Sequence, residues 1–453
     1  MRSRFLFSVV ALFAFAAPGY AYRMSAWVPS WDPNAVAVMQ TQAGNLEETN
    51  PGWYTIAADG SVTNNYKAED ATMRAALSGT MLVPTIKNYI GGRFDGALVA
   101  AIVNDPARRE AHAEKVAQLV VERGLDGIDI DYEKVPTTAS ADFTAFIQLL
   151  AEKLHASNRI LSVTVHAKTS EKTNWNGPGA QDWLSIGAAA DSVKIMAYDK
   201  HYDGGAAGAI APLDWLGQVA AYAEATIPAG KAIIGLPWYG YDWLGTDGTT
   251  VTYADAMAIA QRVGATVTRD ANGESTFTYD GRTVFFQDLV SYKTKVDFIT
   301  RNHPRIAGFA AWRVGAEDPA IWPVVRELTM QAEGSAPIQT APMSFAVNGP
   351  RELKLVAGGA TSGAYAYVGI NGFDLKVVAS VRVIDDFGGF VALSSPTVTK
   401  TSSTLLLVSV PKTTAPGSYR IAVKMTGVGI VQEQVVTLTV SAPAAKSSKR
   451  RSA

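Results

Sequence analysis

Residues 124–133, GLDGIDIDYE, decide the fold and raise its main question. The stretch has the isoleucines of a buried strand, Ile128 and Ile130, but it also carries carboxylates at positions 126, 129, 131 and 133. Buried carboxylates cost free energy unless they are paired, hydrogen-bonded or protonated. Either this segment is not a buried strand, or its acids have a function.

The sequence around this stretch repeats one pattern. Between residues 22 and 332, short apolar segments alternate with longer amphipathic ones and begin at Met24, Trp53, Thr80, Gly127, Ile160, Ser192, Lys231 and Ile306. Helical patterns such as 107–124 and 141–158 lie between them. The alternation predicts an α/β fold with a parallel sheet, and eight units predict a closed (β/α)8 TIM barrel. A doubly wound open sheet is the alternative.

Three further regions follow from changes in this pattern. Between about 241 and 298 a helix pattern and a hairpin turning at Asp280-Gly281 predict a small α+β insertion before the last strand. Residues 333–342 have the composition of a linker, and 343–442 alternate in a way that predicts an all-β sandwich. We expect the basic tail, 443–453, to be disordered.

The first 21 residues have the pattern of a secretory signal peptide. Arg2 and Arg4 precede an apolar run, 5–17, which is too short to span a membrane, and small residues follow it. We expect cleavage after Ala21, with a short uncleaved anchor as the alternative. The mature chain would then be exported to the periplasm, cell wall or medium, and no later stretch is apolar enough for a membrane span.

Composition excludes several classes of function. The chain has no cysteine, so thiol nucleophiles, thiolate metal sites and disulfides are excluded. Its formal net charge of -1 gives no sign of a nucleic-acid partner. It has no phosphate loop, no nucleophile-elbow serine and no HExxH motif. We therefore expect neither a cofactor nor a metal.

Strand geometry assigns the acids of the opening stretch to one face. Side chains alternate along a strand, so Asp129, Asp131 and Glu133 share a face that would point into the barrel. Glu133 would be nearest the C-terminal rim, where barrel active sites lie. Crowded carboxylates raise each other's proton affinity, so at least one should be protonated near neutral pH, and a protonated Glu is a general acid. A salt-bridged core strand or a divalent-metal site is the alternative.

A second set of candidates lies at the ends of other predicted strands. Met196 and Tyr198 share a face of the sixth strand, Asp199 follows it, and Trp312 ends the eighth. Further strand-end aromatics are Trp27, Trp31, Trp238, Tyr239, Tyr241 and Trp243. Each could be a core residue, but together around a column of acids they predict a carbohydrate cleft. His166 ends the fifth strand, where a core or rim role is the simpler interpretation.

Three ordered motifs resemble those of family 18 glycoside hydrolases, the chitinase family. DGIDIDYE, Asp126–Glu133, resembles the family's DxxDxDxE signature, and MAYD, Met196–Asp199, is similar to its Met-x-Tyr-Asp motif. Trp312 falls where the family has its eighth-strand Trp. The resemblance covers about 24–330, and the segments 211–243 and 309–322 look like the bacterial branch of spore-cortex-lytic N-acetylglucosaminidases.

The resemblance implies substrate-assisted retaining hydrolysis, an exception to the scheme of two protein carboxylates. Glu133 would protonate the glycosidic oxygen and then activate water. Asp131, supported by Asp129, would orient the 2-acetamido group whose carbonyl oxygen attacks the anomeric carbon. Further contacts with the sugar are implied or expected for Tyr198, Asp199, Trp312, Met196, Trp27, Trp238 and Tyr239.

The sequence departs from the family pattern at the third strand and in its accessory region. The segment 83–96, VPTIKNYIGGRFDG, lacks a clean Ser-x-Gly-Gly, and no LysM repeat is recognisable. The C-terminal region resembles bacterial Ig-like or IPT-type domains instead. We expect an exported, monomeric glycosidase that cleaves β-1,4 bonds of a glycan containing N-acetylglucosamine, either peptidoglycan or chitin, in endo or exo fashion. A lectin of the same fold is the alternative.

Overall fold

A computed structural model describes residues 22–64, 70–171, 173, 175–330, 344–370, 377–427 and 430–443. The expected signal peptide (1–21) and linker (333–342) lie outside these residues. So does all of the expected tail except its first residue, which is 443.

The first half of the chain, up to residue 237, is built of strands and helices. In chain order these are β1 (Arg23–Val28), α1 (Pro33–Gln42), β2 (Glu48–Pro51), β3 (Tyr54–Ile56), β4 (Val62–Asn64), α2 (Ala71–Ala76), β5 (Met81–Leu82), β6 (Thr85–Lys87), β7 (Tyr89–Ile90), β8 (Arg93–Phe94), α3 (Gly96–Val103), α4 (Pro106–Glu122), β9 (Gly127–Asp131), α5 (Ser140–Ala156), β10 (Ile160–His166), α6 (Trp183–Ala189), β11 (Ser192–Met196), α7 (Leu213–Thr226) and β12 (Ala232–Pro237).

The remaining elements form an antiparallel sheet, the end of the parallel sheet and a β-rich C-terminal region. They are β13 (Gly240–Leu244), β14 (Asp247–Val251), α8 (Tyr253–Val263), β15 (Thr268–Arg269), β16 (Ser275–Tyr279), β17 (Arg282–Phe286), α9 (Leu289–Asn302), β18 (Gly308–Trp312), α10 (Trp322–Met330), β19 (Ser344–Asn348), β20 (Glu352–Val356), β21 (Ala360–Ile370), β22 (Val377–Val383), β23 (Phe390–Leu393), β24 (Thr397–Val398), β25 (Thr404–Ser409), β26 (Gly417–Gly427) and β27 (Ile430–Ser441).

Ten parallel strands and β4, which is antiparallel to β3, form one curled sheet in the order β4-β3-β6-β9-β10-β11-β12-β18-β1-β2-β5. The sheet closes at the segment 81–87, which contains β5, the last strand of this order, and β6, a strand near its start. On one side of this segment, the main-chain N–H of Val83 donates to the oxygen of Thr49 at 3.0 Å. On the other side, the N–H of Asp126 donates to the oxygen of Leu82 at 3.1 Å. The predicted barrel is therefore confirmed as a TIM-barrel-like fold.

The alternation predicted for β9 is present. Ile128 and Ile130 are buried in the main hydrophobic core together with Phe143 and Phe146 of α5. Asp129 and Asp131, which alternate with the isoleucines, contact side chains of other strands inside the barrel instead. The helix-facing and interior faces of the strand therefore differ completely in polarity, because one packs on α5 and the other is enclosed by strands.

The antiparallel sheet, in the order β14-β13-β17-β16-β15, precedes the last parallel strand. Asp280 and Gly281 join β16 and β17 with positive φ values of 44° and 75°, as a two-residue hairpin turn requires. Glu274, fully buried, attaches this sheet to the barrel. Its carboxylate accepts the main-chain N–H groups of 210 and 211 at 2.8 and 2.9 Å and lies 3.0 Å from Nζ of Lys295 in α9.

The C-terminal region consists of two sheets, β19-β21-β25-β23 and β20-β27-β26-β22-β24. Buried side chains from both sheets, among them Tyr365, Leu406, Val423 and Leu438, form a core separate from that of the barrel. Most of the pairs are antiparallel, but β20 runs parallel to β27. In the described part of the chain, no helix combines the length and the apolarity needed to cross a bilayer.

A buried histidine supports the back of the acid-bearing strand. Nδ1 of His112 lies 2.8 Å from the main-chain oxygen of Gly60, and Nε2 lies 2.8 Å from the hydroxyl of Tyr132. Because a carbonyl oxygen only accepts, Nδ1 carries the hydrogen and Nε2 accepts from Tyr132. Burial, aided by the charge of Lys115 and opposed by the Gly60 bond, lowers the pKa of His112 to about 4.

We expect His112 to make the barrel acid-sensitive. Its pKa is about 4 in the folded chain against an ordinary 6.5, so stability is lost as the pH falls from 6.5 towards 4, by up to about 3 kcal/mol. The test is urea unfolding at pH 7 and pH 4.5, followed by tryptophan fluorescence, since all 10 tryptophans precede residue 331.

In His112→Gln the free energy of unfolding should be lower at pH 7 but should fall less on acidification. His155→Gln is the control, because His155 is half exposed and pairs with Asp191 at the surface. Equal acid sensitivity in the wild type and His112→Gln would show that His112 does not cause the loss.

Candidate active site

Asp129 lies in the barrel interior, fully buried and surrounded by donors. Oδ1 accepts the hydroxyls of Ser162 at 2.7 Å and Thr164 at 3.1 Å. Oδ2 accepts the hydroxyl of Thr85 at 3.0 Å and the indole N–H of Trp27 at 3.3 Å. Donors from β1, β6 and β10 thus converge on one carboxylate, which gives a buried acid the hydrogen bonds that it needs. Trp27 itself is almost fully buried and contacts Asp129 from the side of β1.

A buried lysine supplies the positive charge beside Asp129. Nζ of Lys194, in β11, lies 3.6 Å from Oδ1 of Asp129 and 2.5 Å from Oε1 of Glu48, and it donates to Ser162 at 2.7 Å. Asn50 donates to the same oxygen of Glu48 at 2.7 Å. All of these side chains are buried, so the interior contains a connected ionic layer.

Asp131, two residues after Asp129 on the same face, has a different environment. It is 4% exposed, and its Oδ1 is buried with no hydrogen-bond partner among the described residues. Burial raises the pKa of Asp131 to about 7, the charge of Glu133 adds to the effect, and Lys87 opposes it. Asp131 therefore holds a proton over part of the neutral range, as the crowding of acids predicts.

Lys87 connects Asp131 with the aromatic floor of the interior. Its Nζ is 3.6 Å from Oδ2 of Asp131 and 4.7 Å from the centroid of the Trp312 ring. Trp312 is partly exposed, and its ring packs edge-on to Trp27 with 6.2 Å between centroids. The ammonium group thus lies between an acid and an indole, both of which attract a cation.

Glu133 lies two residues beyond the end of β9 and is fixed through its main chain. Its N–H donates to Oδ1 of Asn88 at 2.9 Å, and Nδ2 of Asn88 donates back to its carbonyl oxygen at 2.8 Å. Its carboxylate lies 3.3 Å from Nε2 of His166, and the side chain is 18% exposed. Among the acids of this strand that face the interior, Glu133 is the most accessible to solvent.

Tyr198 and Asp199 lie on the side of the antiparallel sheet. Burial first, and then the charge of Asp131, raise the pKa of Tyr198 well above its usual value, so its hydroxyl keeps its proton and can donate. Asp199 has a positive φ of 58°, and its Oδ1 accepts the hydroxyls of Tyr239 and, at 3.2 Å, Tyr241. Tyr241 of β13 and Tyr239, which precedes that strand, therefore contribute donors to the same cluster.

The predicted site residues divide into two groups. The structure brings together Asp129, Asp131, Glu133, Met196, Tyr198, Asp199, Trp312, Trp27 and Tyr239. Trp238 lies apart from them: it is fully buried and packs on Tyr292 and Trp322, with centroids 5.9 and 5.2 Å away. A buried indole on this outer side of the strand has no surface to offer to a glycan.

Sequence reasoning missed the cations and hydroxyls of the interior. Thr85 and Lys87 pair directly with Asp129 and Asp131 across neighbouring strands, and Lys194 alternates with two buried apolar residues of β11. A lysine in register with the interior face of a barrel strand was the available signal. Recognising this lysine as a partner of the acids requires knowledge of how the strands pair, and the alternation within one strand does not provide it.

Removing Lys194 should destabilise the barrel strongly, because Asp129 would remain buried without a counter-charge and Glu48 would keep only Arg23, whose guanidinium is 3.7 Å away. We expect Lys194→Met to lower the free energy of unfolding by about 3–5 kcal/mol. The double variant Lys194→Met with Glu48→Gln should recover part of the loss. Urea unfolding of the single and double variants measures both effects. Lys153→Met, which removes two ion pairs at the surface, is the matched control. Wild-type stability of Lys194→Met would contradict this account of the charge balance.

Comparison with known proteins identifies the barrel. The family model of glycosyl hydrolases family 18 matches residues 84–317. Bacillus subtilis (strain 168) YdhD is 31% identical over 272 residues, which span 58% of this chain and 64%, less than two thirds, of that relative. A cortical fragment-lytic enzyme of Bacillus anthracis is 23% identical over 314 residues, 65% of this chain and 72% of the relative.

Solved structures agree with the match. A chitinase from Chromobacterium violaceum ATCC 12472 is 27% identical with a TM-score of 0.62, covering 68% of this chain and 99% of that one. The Bacillus cereus spore cortex-lytic enzyme SleL is 22% identical with a TM-score of 0.63. The match covers 68% of this chain and 74% of that one, and it shows a shared fold. More than half of the chain matches the family model, over the strands that carry the acids and Tyr198. The chain belongs to glycosyl hydrolases family 18, a family of glycosidases.

Proposed function

We propose that this chain is an exported glycosidase that hydrolyses β-1,4 bonds on the reducing side of N-acetylglucosamine. The observation that carries the proposal is the contrast along β9. Glu133 is accessible at the strand end, Asp131 is nearly buried with a pKa of about 7, and Asp129 is enclosed by donors. Three acids in one column with three environments suit three different roles.

The proposed mechanism is substrate-assisted and retaining. Glu133 donates a proton to the glycosidic oxygen while the acetamido carbonyl oxygen of the substrate attacks the anomeric carbon, and the bond to the leaving sugar breaks. The oxazolinium ion that forms carries the positive charge. Glu133, now ionised, takes a proton from water as the water attacks the same carbon. This attack opens the oxazolinium ring, releases the acetamido group and returns Glu133 to its protonated form.

The other residues of the cluster orient the acetamido group. Asp131, when ionised, accepts its N–H and stabilises the positive charge that develops on the ring. Tyr198 keeps its proton and can donate to the carbonyl oxygen, while Asp199 contacts the sugar and Trp312 underlies it. A sugar seated between Asp131 and Trp312 would displace the ammonium of Lys87, which now contacts both.

Peptidoglycan and chitin are the two substrate classes supported by the relatives. The cortical fragment-lytic and cortex-lytic enzymes favour peptidoglycan, and the chitinases favour chitin. Both polymers contain the N-acetylglucosamine unit that the mechanism requires. Export through the expected signal peptide, 1–21, would bring the enzyme to either polymer.

The accessory region fits this proposal as a spacer or glycan-binding module. We propose that 343–442 is an Ig-like or IPT-type domain joined by a linker, 333–342, to a barrel domain, 22–332, with the antiparallel sheet as one wall of the cleft. The mature chain would act as a monomer.

Product analysis tests the proposal. The mature protein and Glu133→Gln are incubated separately with purified peptidoglycan and with chitin oligomers, and the products are identified by mass spectrometry. We expect new N-acetylglucosamine reducing ends from the wild type and a loss of at least about 100-fold in rate for Glu133→Gln, with fold and binding retained. Full activity of Glu133→Gln would refute the mechanism, and binding of both glycans without any product would favour the lectin alternative.

Cleavage should also require the 2-acetamido group, because no side chain in the mechanism replaces it as nucleophile. Matched β-1,4 oligomers with and without N-acetyl groups, the latter being glucosamine and cellulose oligomers, are compared under the same conditions. We expect hydrolysis only where an acetamido group occupies the sugar on the non-reducing side of the broken bond. Efficient hydrolysis of cellulose oligomers would contradict substrate assistance.

A further inference from the structure

The orientation of His166 is fixed by Gln181. The amide oxygen of Gln181 accepts the main-chain N–H of His166 at 2.9 Å and lies 3.2 Å from Nδ1 of the same residue. Because a main-chain N–H only donates, this contact identifies the amide oxygen as the atom facing His166. Nδ1 must therefore carry a hydrogen, which it donates to the same oxygen.

This assignment leaves Nε2 of His166 to face Glu133. Nε2 lies 3.3 Å from Oε2 of Glu133, and the hydrogen on Nδ1 does not take part in that contact. With one proton between them, the pair has two forms: an imidazolium donating to a carboxylate, or a neutral imidazole accepting from a carboxylic acid. Only the second form leaves Glu133 with a proton to donate.

The surroundings hold the imidazole in this position. Gly177, with φ of +91°, packs against the ring so closely that a Cβ there would lie 2.8 Å from Cε1. Nζ of Lys168 donates to the main-chain oxygen of Gln181 at 2.6 Å and so anchors the residue that orients the ring. His166 is therefore clamped from behind by a close backbone contact and from the side by an anchored amide.

The charges around His166 favour its protonated form. Asp131 and Glu133 face it from β9, Lys168 follows it along the chain with Glu171 at 3.5 Å from its Nζ, and Met196, its partner on β11, is uncharged. Burial lowers the pKa of His166, but the hydrogen bond and charge of Glu133, with Gln181 and Asp131, outweigh it and raise the pKa overall.

We propose that His166 is a positioning residue that shares one proton with Glu133 and so extends to higher pH the range in which Glu133 can act as an acid. In the free site the shared proton rests mainly on Nε2. When a glycan covers the pair and removes water, two separate charges become less favourable than the neutral pair, and the proton moves from Nε2 to Oε2. Glu133 then donates it to the glycosidic oxygen, and the water that attacks next returns one proton to the pair.

The inference rests on the proposed function, so its first test is independent of turnover. His166 is titrated by NMR of the imidazole signals in the glycan-free protein, with His166→Gln used to identify its resonances among the five histidines. We expect the pKa of His166 to fall by about one unit or more in Glu133→Gln, which removes the carboxylate, and to rise in Gln181→Glu. An unchanged His166 titration in Glu133→Gln would overturn the proposal.

The second test is the pH profile of kcat/KM with the glycan that the wild type cleaves. In His166→Gln the basic limb should move to lower pH by about one unit or more, because Glu133 then has no imidazole with which to share a proton. His155→Gln, at an exposed histidine, should keep the wild-type profile. A uniform loss of activity in His166→Gln with an unmoved limb would show a merely structural role and overturn the proposal.

The two tests separate the possible failures. Turnover by Glu133→Gln would refute the proposed function, while the NMR titration would still decide whether His166 and Glu133 share a proton. If His166→Gln does not fold, as its thermal melting would reveal, the resonances of His166 are identified by elimination, with single His→Gln variants at the other four histidines. The titration of His166 in Glu133→Gln then still decides the question.

Discussion

The structure depends on the hydrogen-bonded and ionic enclosure of Asp129. A fully buried carboxylate is tolerated in the middle of the barrel because Ser162, Thr164, Thr85 and Trp27 donate to it and Lys194 lies beside it. These groups come from different strands, so the sheet has to curl for them to converge on one carboxylate. The hydrogen bonds of Asp129 therefore depend on the register of the barrel strands. A strand displaced by one residue would place its donor on the opposite face, away from the acid.

The same enclosure explains why Asp129 and Asp131, two acids on one strand, differ in the number of hydrogen-bond donors around them. Donors are concentrated on Asp129, and Asp131, one pleat further along, is left with Lys87 at 3.6 Å and a raised pKa. Glu133, past the strand end, is held by Asn88 through its main chain, which leaves its carboxylate free to meet His166 and the solvent. Position along this short segment thus determines which acid stays enclosed, which one titrates near neutrality and which one is exposed to solvent.

Much of this could be predicted from GLDGIDIDYE, because alternation is a local property of a strand. It assigned the isoleucines to the helices and the acids to the interior, and the repeat of eight strands supplied the barrel around them. What could not be predicted depends on register between strands or on the turn after a strand. Lys87 and Lys194 meet the acids only through strand pairing. Trp27 and Trp238 look alike as strand-end aromatics, yet one bonds to Asp129 and the other packs outside the barrel.

The attachment of the antiparallel sheet has a consequence for how this molecule can diverge. Glu274 and Lys295 join the sheet to the barrel through a buried ion pair, and Tyr239 and Tyr241 connect the sheet to Asp199. Both connections involve its inner side, whereas Leu244 and Met257 on the same subdomain are exposed. Substitutions can therefore accumulate on the outer surface without disturbing the acids. If the sheet is a wall of the proposed cleft, substitutions there could change which polymer is held while the arrangement of the acids stays the same.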